Sequence, residues 1–243
     1  MNWNEIVEKV TPYVVKIETP GGHGTGFLCL YNSDRSFCGI ATASHVVSYA
    51  DRWQQPLRIS HFPSSGVVFL DESARTIWTD PGTDSAVILL ATGQLNLPEN
   101  PIPLLPTDSP LAIGAEVGWL GFPAMAPYTL CFFSGNISAR QEERHAYLID
   151  GVAINGVSGG PVVYSTATEG VQIVGTITAY RPSRTTGITL PGLSFAQDVS
   201  HFHHTISSIK SIDEANQKKL QQQPPTGATD ESQEPPKGEP TST

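Results

Sequence analysis

Ser158 stands in Asn155-Gly156-Val157-Ser158-Gly159-Gly160-Pro161, one hydroxyl set among three glycines and closed by proline. Glycines on both sides let the backbone approach a ligand closely and adopt conformations closed to other residues. Amide N–H groups around such a serine can converge on one point, where a carbonyl oxygen gains negative charge during acyl transfer. A plain Gly-Pro turn between two strands would use the same residues. A serine hydroxyl is a poor nucleophile at neutral pH, so the chemistry requires a base within reach. His45, in Ala43-Ser44-His45-Val46-Val47, lies where small residues end a strand, a place that holds an imidazole with one ring nitrogen accessible. Asp84 precedes the apolar run Ser85-Ala86-Val87-Ile88-Leu89-Leu90. A carboxylate at the edge of a core needs a partner, because desolvating it unpaired is costly, and an imidazole N–H is a suitable one. The bland alternatives are a structural histidine at a strand end and a turn or cap aspartate.

The elements that must carry these residues read as β. Charged residues make up only 15% of the 243, while 22 Gly and 20 Pro punctuate short apolar runs, which suits hairpins better than helices. A short helix is expected over 4–10, capped by Asn4, with strands over 13–18, 25–31, 37–43, 57–60, 66–70, 75–78 and 85–90. The Pro-rich passage 97–110 resists regular structure and is expected to cross between two halves. Strands follow at 114–121, 128–133, 135–139, 146–150, 162–164, 171–180 and 193–196, then a short helix over 198–209. Beyond Asp213 the chain turns to Gln, Pro, Thr, Glu and Lys, too few apolar residues to offset the entropy of ordering, and a disordered tail is expected over 213–243.

A formal net charge of −9 without a Lys/Arg cluster argues against nucleic acid or an anionic membrane surface as partner. No apolar stretch approaches the ~20 residues of a spanning helix, and the start lacks the pattern of a secretory signal, so a cytoplasmic location is expected. Three cysteines do not make a disulfide framework. A hairpin tip at Ser33-Asp34 would set Cys29 opposite Cys38, and two buried thiols are expected rather than a disulfide. His201, His203 and His204 lack Cys or acidic companions at a ligand spacing, so a solvated helix face is expected there and no metal or other cofactor.

Taken in order, Gly24-Thr25-Gly26-Phe27, Thr42-Ala43-Ser44-His45-Val46-Val47, Asp84-Ser85-Ala86-Val87-Ile88, Gly118-Trp119-Leu120-Gly121-Phe122-Pro123, the run from Asp150 to Pro161, Ile173-Val174-Gly175-Thr176-Ile177 and Gly192-Leu193-Ser194-Phe195-Ala196 resemble the trypsin-like serine proteases, above all the high-temperature-requirement type. The resemblance covers about residues 10–205 and implies an all-β fold of two six-stranded antiparallel barrels. Residues 1–106 would carry His45 and Asp84, and 107–212 would carry Ser158 and the terminal helix. It carries the nucleophile over onto Ser158, the general base onto His45 and the orienting carboxylate onto Asp84. The backbone amides of Gly156 and Ser158 would form the oxyanion hole. Thr178, Ala179 and Tyr180 would pair with the substrate backbone, Val152 would lie at the base of the first specificity pocket, and Asp150 would be structural. Val152 offers no carboxylate for a basic side chain, so a small or medium apolar residue is expected before the cleaved bond of a peptide or protein substrate.

Digestive relatives carry an Asp before the nucleophile where this chain has Val157, and the Ile-Val-Gly-Gly start is missing, so activation by a newly cut N-terminus is not expected. The residues after 205 are too few for the PDZ module that the high-temperature-requirement type appends. The expected activity is hydrolysis of peptide bonds through a Ser158 acyl-enzyme; the alternative is an idle member of the fold serving as a peptide-binding scaffold.

Overall fold

In a computed structural model the structure describes residues 1–185 and 188–222. Helix α1 (Trp3–Val10) buries Ile6 and Val10, one turn apart, and begins at Asn2, whose side chain accepts from the amide of Glu5 at 3.0 Å. The cap is therefore Asn2 rather than Asn4. The first unit follows as β1 (Val14–Thr19), β2 (Gly22–Tyr31), β3 (Phe37–Ala43), helix α2 (Ser44–Arg52), β4 (Leu57–His61), β5 (Gly66–Leu70), β6 (Thr76–Asp80) and β7 (Ser85–Ala91). These strands form one antiparallel sheet in the order β5-β4-β1-β2-β3-β7-β6. It has seven strands rather than six, and it stays open, since among the described residues no ladder joins its edge strands β5 and β6.

The second unit comprises β8 (Glu116–Gly121), β9 (Cys131–Gln141), β10 (Ala146–Ile149), β11 (Pro161–Thr166), β12 (Gly170–Thr185) and β13 (Ile188–Asp198). These six close into an antiparallel barrel, the architecture expected. Two expected strands, 128–133 and 135–139, are one, since Gly135 continues the ladder against Val117. The proline-rich passage does cross between the units, and near its middle Leu105 donates to Ile173 O at 2.8 Å while Ile173 donates to Pro103 O at 2.9 Å. Helix α3 (Ser200–Gln222) runs well past Ile209, so the expected tail is helical as far as Gln222. Glu214 and Lys218 are spaced one turn apart there in the favourable order, and Asp213 accepts from the amide of Ser33 at 2.8 Å. Residues 223–243 lie outside the described residues.

One apolar cluster fills the interior of the first unit with Ile17, Leu28, Ile40 and Ile88. A second joins Val14, Phe27 and Leu30 to Trp119, Phe122, Val157 and Ile177, so the two units share a core. Phe202 of α3 meets Phe27 edge-on at 5.9 Å, tying the last helix across that junction. Cys29 and Cys38 are both buried free thiols. They are not opposite each other: the register slips by one residue between Leu28 and Leu30, so Cys38 faces Tyr31 and Cys29 occupies the bulge. Among the described residues no helix is long and apolar enough to cross a membrane.

Candidate active site

His45 is the second residue of α2, and the start of that helix explains its position. The residue before the helix is Ala43, which cannot cap it with a side chain. The orphan amides are instead met from another part of the chain: Ser44 donates to Asp84 O and His45 donates to Asp84 Oδ1, both at 2.9 Å. A carboxylate at a helix N-terminus is electrostatically favoured. Asp84 takes this position from the turn between β6 and β7, with φ at 51°, a left-handed conformation that Asp tolerates better than most residues.

The other oxygen, Oδ2, lies 2.7 Å from His45 Nδ1. An ionised carboxylate only accepts, so Nδ1 carries the proton of this contact and Nε2 is left with its lone pair. The two side chains are 48% and 35% exposed, so the imidazole is held at one edge and open at the other. Asp80, four residues earlier, is the turn residue its Pro-Gly sequence suggests, accepting from Gly82 N at 2.9 Å.

Ser158 and His45 line one cleft of about 580 Å³, together with Gly156, His23 and Tyr49. Among the described residues no hydrogen bond joins the Ser158 hydroxyl to the imidazole. The loop carrying Ser158 is held by its carbonyls. Asn155 O accepts from Ala124 N at 2.6 Å, Gly156 O from Thr25 Oγ1 at 2.9 Å, and Val157 O from Gly160 N at 2.9 Å. In a trans peptide the N–H points opposite to the preceding C=O. The amides of Gly156 and Ser158 are thus turned away from those partners, and among the described residues neither donates a hydrogen bond. Gly156 has φ at 93°, and a Cβ there would collide with Phe122 O and the His23 ring. Gly159, with φ at 87°, lies so close to the backbone of Thr25 that a side chain could not fit.

Thr178 and Ala179 line a second cavity of about 430 Å³ with Asp84, Thr83 and Arg144. Val152 is 41% exposed and lines neither cavity. Tyr180 pairs its backbone with Ser194, while its side chain lies outside the described residues. Asp150 accepts through Oδ1 from the amide of Asn136, a structural contact at the end of β10. Two histidines of α3 are engaged separately: His201 Nδ1 is 3.5 Å from Asp80 and His203 Nε2 is 2.9 Å from Leu105 O.

Residues 24–171 match the family model of the trypsin-like peptidase domain, which is more than half of the chain. The chain belongs to the trypsin-like peptidase family. Membership makes it a serine-type endopeptidase, with peptides or proteins as substrates. Solved structures share the fold of this trypsin-like peptidase. A serine endoprotease from Yersinia pestis is 22% identical, with a TM-score of 0.62 over 87% of this chain and 67% of that one. The Rv3671c protease from M. tuberculosis H37Rv, in an inactive form, is 20% identical, with a TM-score of 0.58 over 85% of this chain and 93% of that one. No curated protein matches the chain. Sequence reasoning missed Ala124, His23 and Tyr49 as parts of this site of the trypsin-like peptidase. Their residue types carry no signal for it.

Proposed function

We propose that Ser158 is the nucleophile, His45 the general base and Asp84 the carboxylate that orients it, in the hydrolysis of peptide bonds. The observation that carries this reading is the grouping around one cleft of a serine, a histidine fixed through Nδ1, and two backbone amides that donate to no partner among the described residues. On this reading residues 1–106 supply the imidazole and carboxylate, and 107–212 supply the hydroxyl and the amides.

Ser158 Oγ attacks the scissile carbonyl carbon while its proton passes to His45 Nε2. The carbonyl oxygen becomes negative and is met by the amides of Gly156 and Ser158; losing one such donor costs ~3 kcal/mol in comparable transition states. Asp84 stabilises the imidazolium as it forms. Collapse breaks the C–N bond, the proton moves from Nε2 to the leaving amine, and an ester to Ser158 remains. Water then attacks that ester, again giving its proton to Nε2, and the acid and free hydroxyl are released. A serine–imidazole hydrogen bond absent before substrate arrives is compatible with this sequence, since such contacts tighten in the substrate complex.

The substrate's backbone would pair with Thr178, Ala179 and Tyr180 as an added strand. Val152, six positions before Ser158, offers no carboxylate to a basic side chain, so a small or medium apolar residue is expected before the cut. Three free thiols support a reducing compartment such as the cytoplasm. The test is a peptide library incubated with the chain and read by mass spectrometry. Cuts after small or medium apolar residues that vanish in Ser158→Ala are expected. Cuts that persist in Ser158→Ala would overturn the assignment, and a preference for Arg or Lys would overturn the pocket.

A further inference from the structure

The buried threonine of β2 makes more contacts with the Ser158 loop than a strand residue needs. Thr25 is fully buried. Its amide donates to Ser158 O at 2.8 Å, its hydroxyl donates to Gly156 O at 2.9 Å, and the same oxygen accepts from Phe122 N at 3.0 Å. Its own carbonyl accepts from Thr42 Oγ1 at 2.7 Å, two strand positions from the helix that begins with Ser44 and His45. One residue of the first unit therefore grips two carbonyls of the Ser158 loop and one amide at the end of β8. The residue before Ser158 offers no charge for that task, since Val157 is apolar and fully buried, packed over the backbone of Gly121.

We infer that Thr25 is a positioning residue whose hydroxyl fixes the Gly156–Val157 peptide and so keeps the Gly156 and Ser158 amides aimed at the developing oxyanion. This rests on the peptidase reading above. Gly156 O held by Thr25 sends the following N–H of Val157 to Ile154 O at 3.0 Å, and with both sides of that peptide occupied the loop cannot rotate its neighbours. The same bonds tie the loop to the unit that carries His45, fixing the reach from hydroxyl to imidazole. Without the hydroxyl, Gly156 O and Phe122 N lose a buried partner, and relief comes by turning the Gly156–Val157 peptide, which swings the flanking peptides that carry the two oxyanion amides.

The experiment compares wild type, Thr25→Val, Thr25→Ala and Thr25→Ser on a peptide the wild type cleaves. Thr25→Val keeps the shape and loses the hydroxyl. Its kcat should fall about 10- to 100-fold, less than the loss of a whole oxyanion donor, with KM changed less than about threefold. Affinity for a peptidyl aldehyde, which forms a tetrahedral adduct, should weaken with kcat, while affinity for a product-like peptide acid stays. Thr25→Ala carries the same expectation should the valine variant fail to fold, and Thr25→Ser should restore most of the loss. A folded Thr25→Val or Thr25→Ala with wild-type kcat, or one whose aldehyde affinity is unchanged, overturns the inference, as does failure of Thr25→Ser to rescue. A wild type that cleaves nothing overturns the peptidase reading and this inference with it; an active wild type matched by Thr25→Val overturns this inference alone.

Discussion

Asp84 holds His45 at two points, with Oδ2 at 2.7 Å from ring Nδ1 and Oδ1 at 2.9 Å from the backbone amide. One carboxylate thus fixes both the tautomer of the ring and the start of the helix that carries it. In Asp84→Asn an amide oxygen can still serve one of these contacts, but the NH2 group cannot accept from Nδ1. The expected result is a kcat lower by roughly 10⁴-fold, the size of loss when this aspartate becomes asparagine in the best-studied triad. Steady-state kinetics on the cleaved peptide measures it. A loss under tenfold would contradict the role.

Val157 is fully buried and packs against Gly121, where its Cγ1 and Cα crowd the glycine backbone. A carboxylate at 157 would be desolvated within an apolar cluster. Val157→Asp should cost about 3 kcal/mol or more, seen as a lower midpoint in chemical denaturation, with loss of activity. An unchanged midpoint would show that the loop has room or a partner for the charge.

The sequence carried the strands because the alternation of short apolar runs with Gly and Pro is a local signal, strongest in β7, where Ser85–Ala91 is almost wholly apolar. Their grouping into two barrels was implied only by the resemblance of the ordered motifs, and the first unit is an open sheet. It also marked Ser158, His45 and Asp84 through short motifs. It did not carry helix α2, whose cap comes from Asp84 rather than from the residue before it. Nor did it carry the register of β2 and β3, since one bulged residue at Cys29 separates two thiols that a symmetrical hairpin would pair. Both depend on contacts between distant segments. The helical extent of α3 to Gln222 was hidden for a different reason: a reading of composition weighs apolar content, and this stretch is helical while almost wholly polar.

The burial of the two thiols has a chemical consequence. Burial pushes the Cys38 thiol up to about 11, and pushes Cys29 higher still with the neighbouring Cys38 adding to it. Cys131 is only partly buried. In the native protein at pH 8, iodoacetamide should modify Cys131 alone, with Cys29 and Cys38 reacting after denaturation. Peptide mapping reads the sites. Rapid native modification of Cys38 would contradict its burial.

Histidine burial sets a pH window for stability. Desolvation holds His61 below the ordinary imidazole range, only partly offset by its contact with Pro12 O at 2.8 Å, and desolvation likewise lowers His201. A folded state that prefers neutral imidazole binds fewer protons than the unfolded chain below about pH 6.5. This contribution is present above that pH and is lost as pH falls. Asp80, held low by hydrogen bonds from Thr83 and Gly82 and by His201 against the opposing effect of burial, loses its contribution only below the usual carboxylate range near ~4. The melting temperature should therefore fall between pH 7 and pH 5, and His61→Gln should flatten that slope. A slope unchanged in His61→Gln would show that other groups set it.

The most direct measurement of the proposed chemistry is stoichiometric labelling by a fluorophosphonate, with the adduct located by mass spectrometry. One adduct per folded chain, on Ser158, is expected, greatly slowed in His45→Ala and absent in Ser158→Ala. A folded wild type that takes up no label, or takes it on another residue, would contradict Ser158 as the nucleophile.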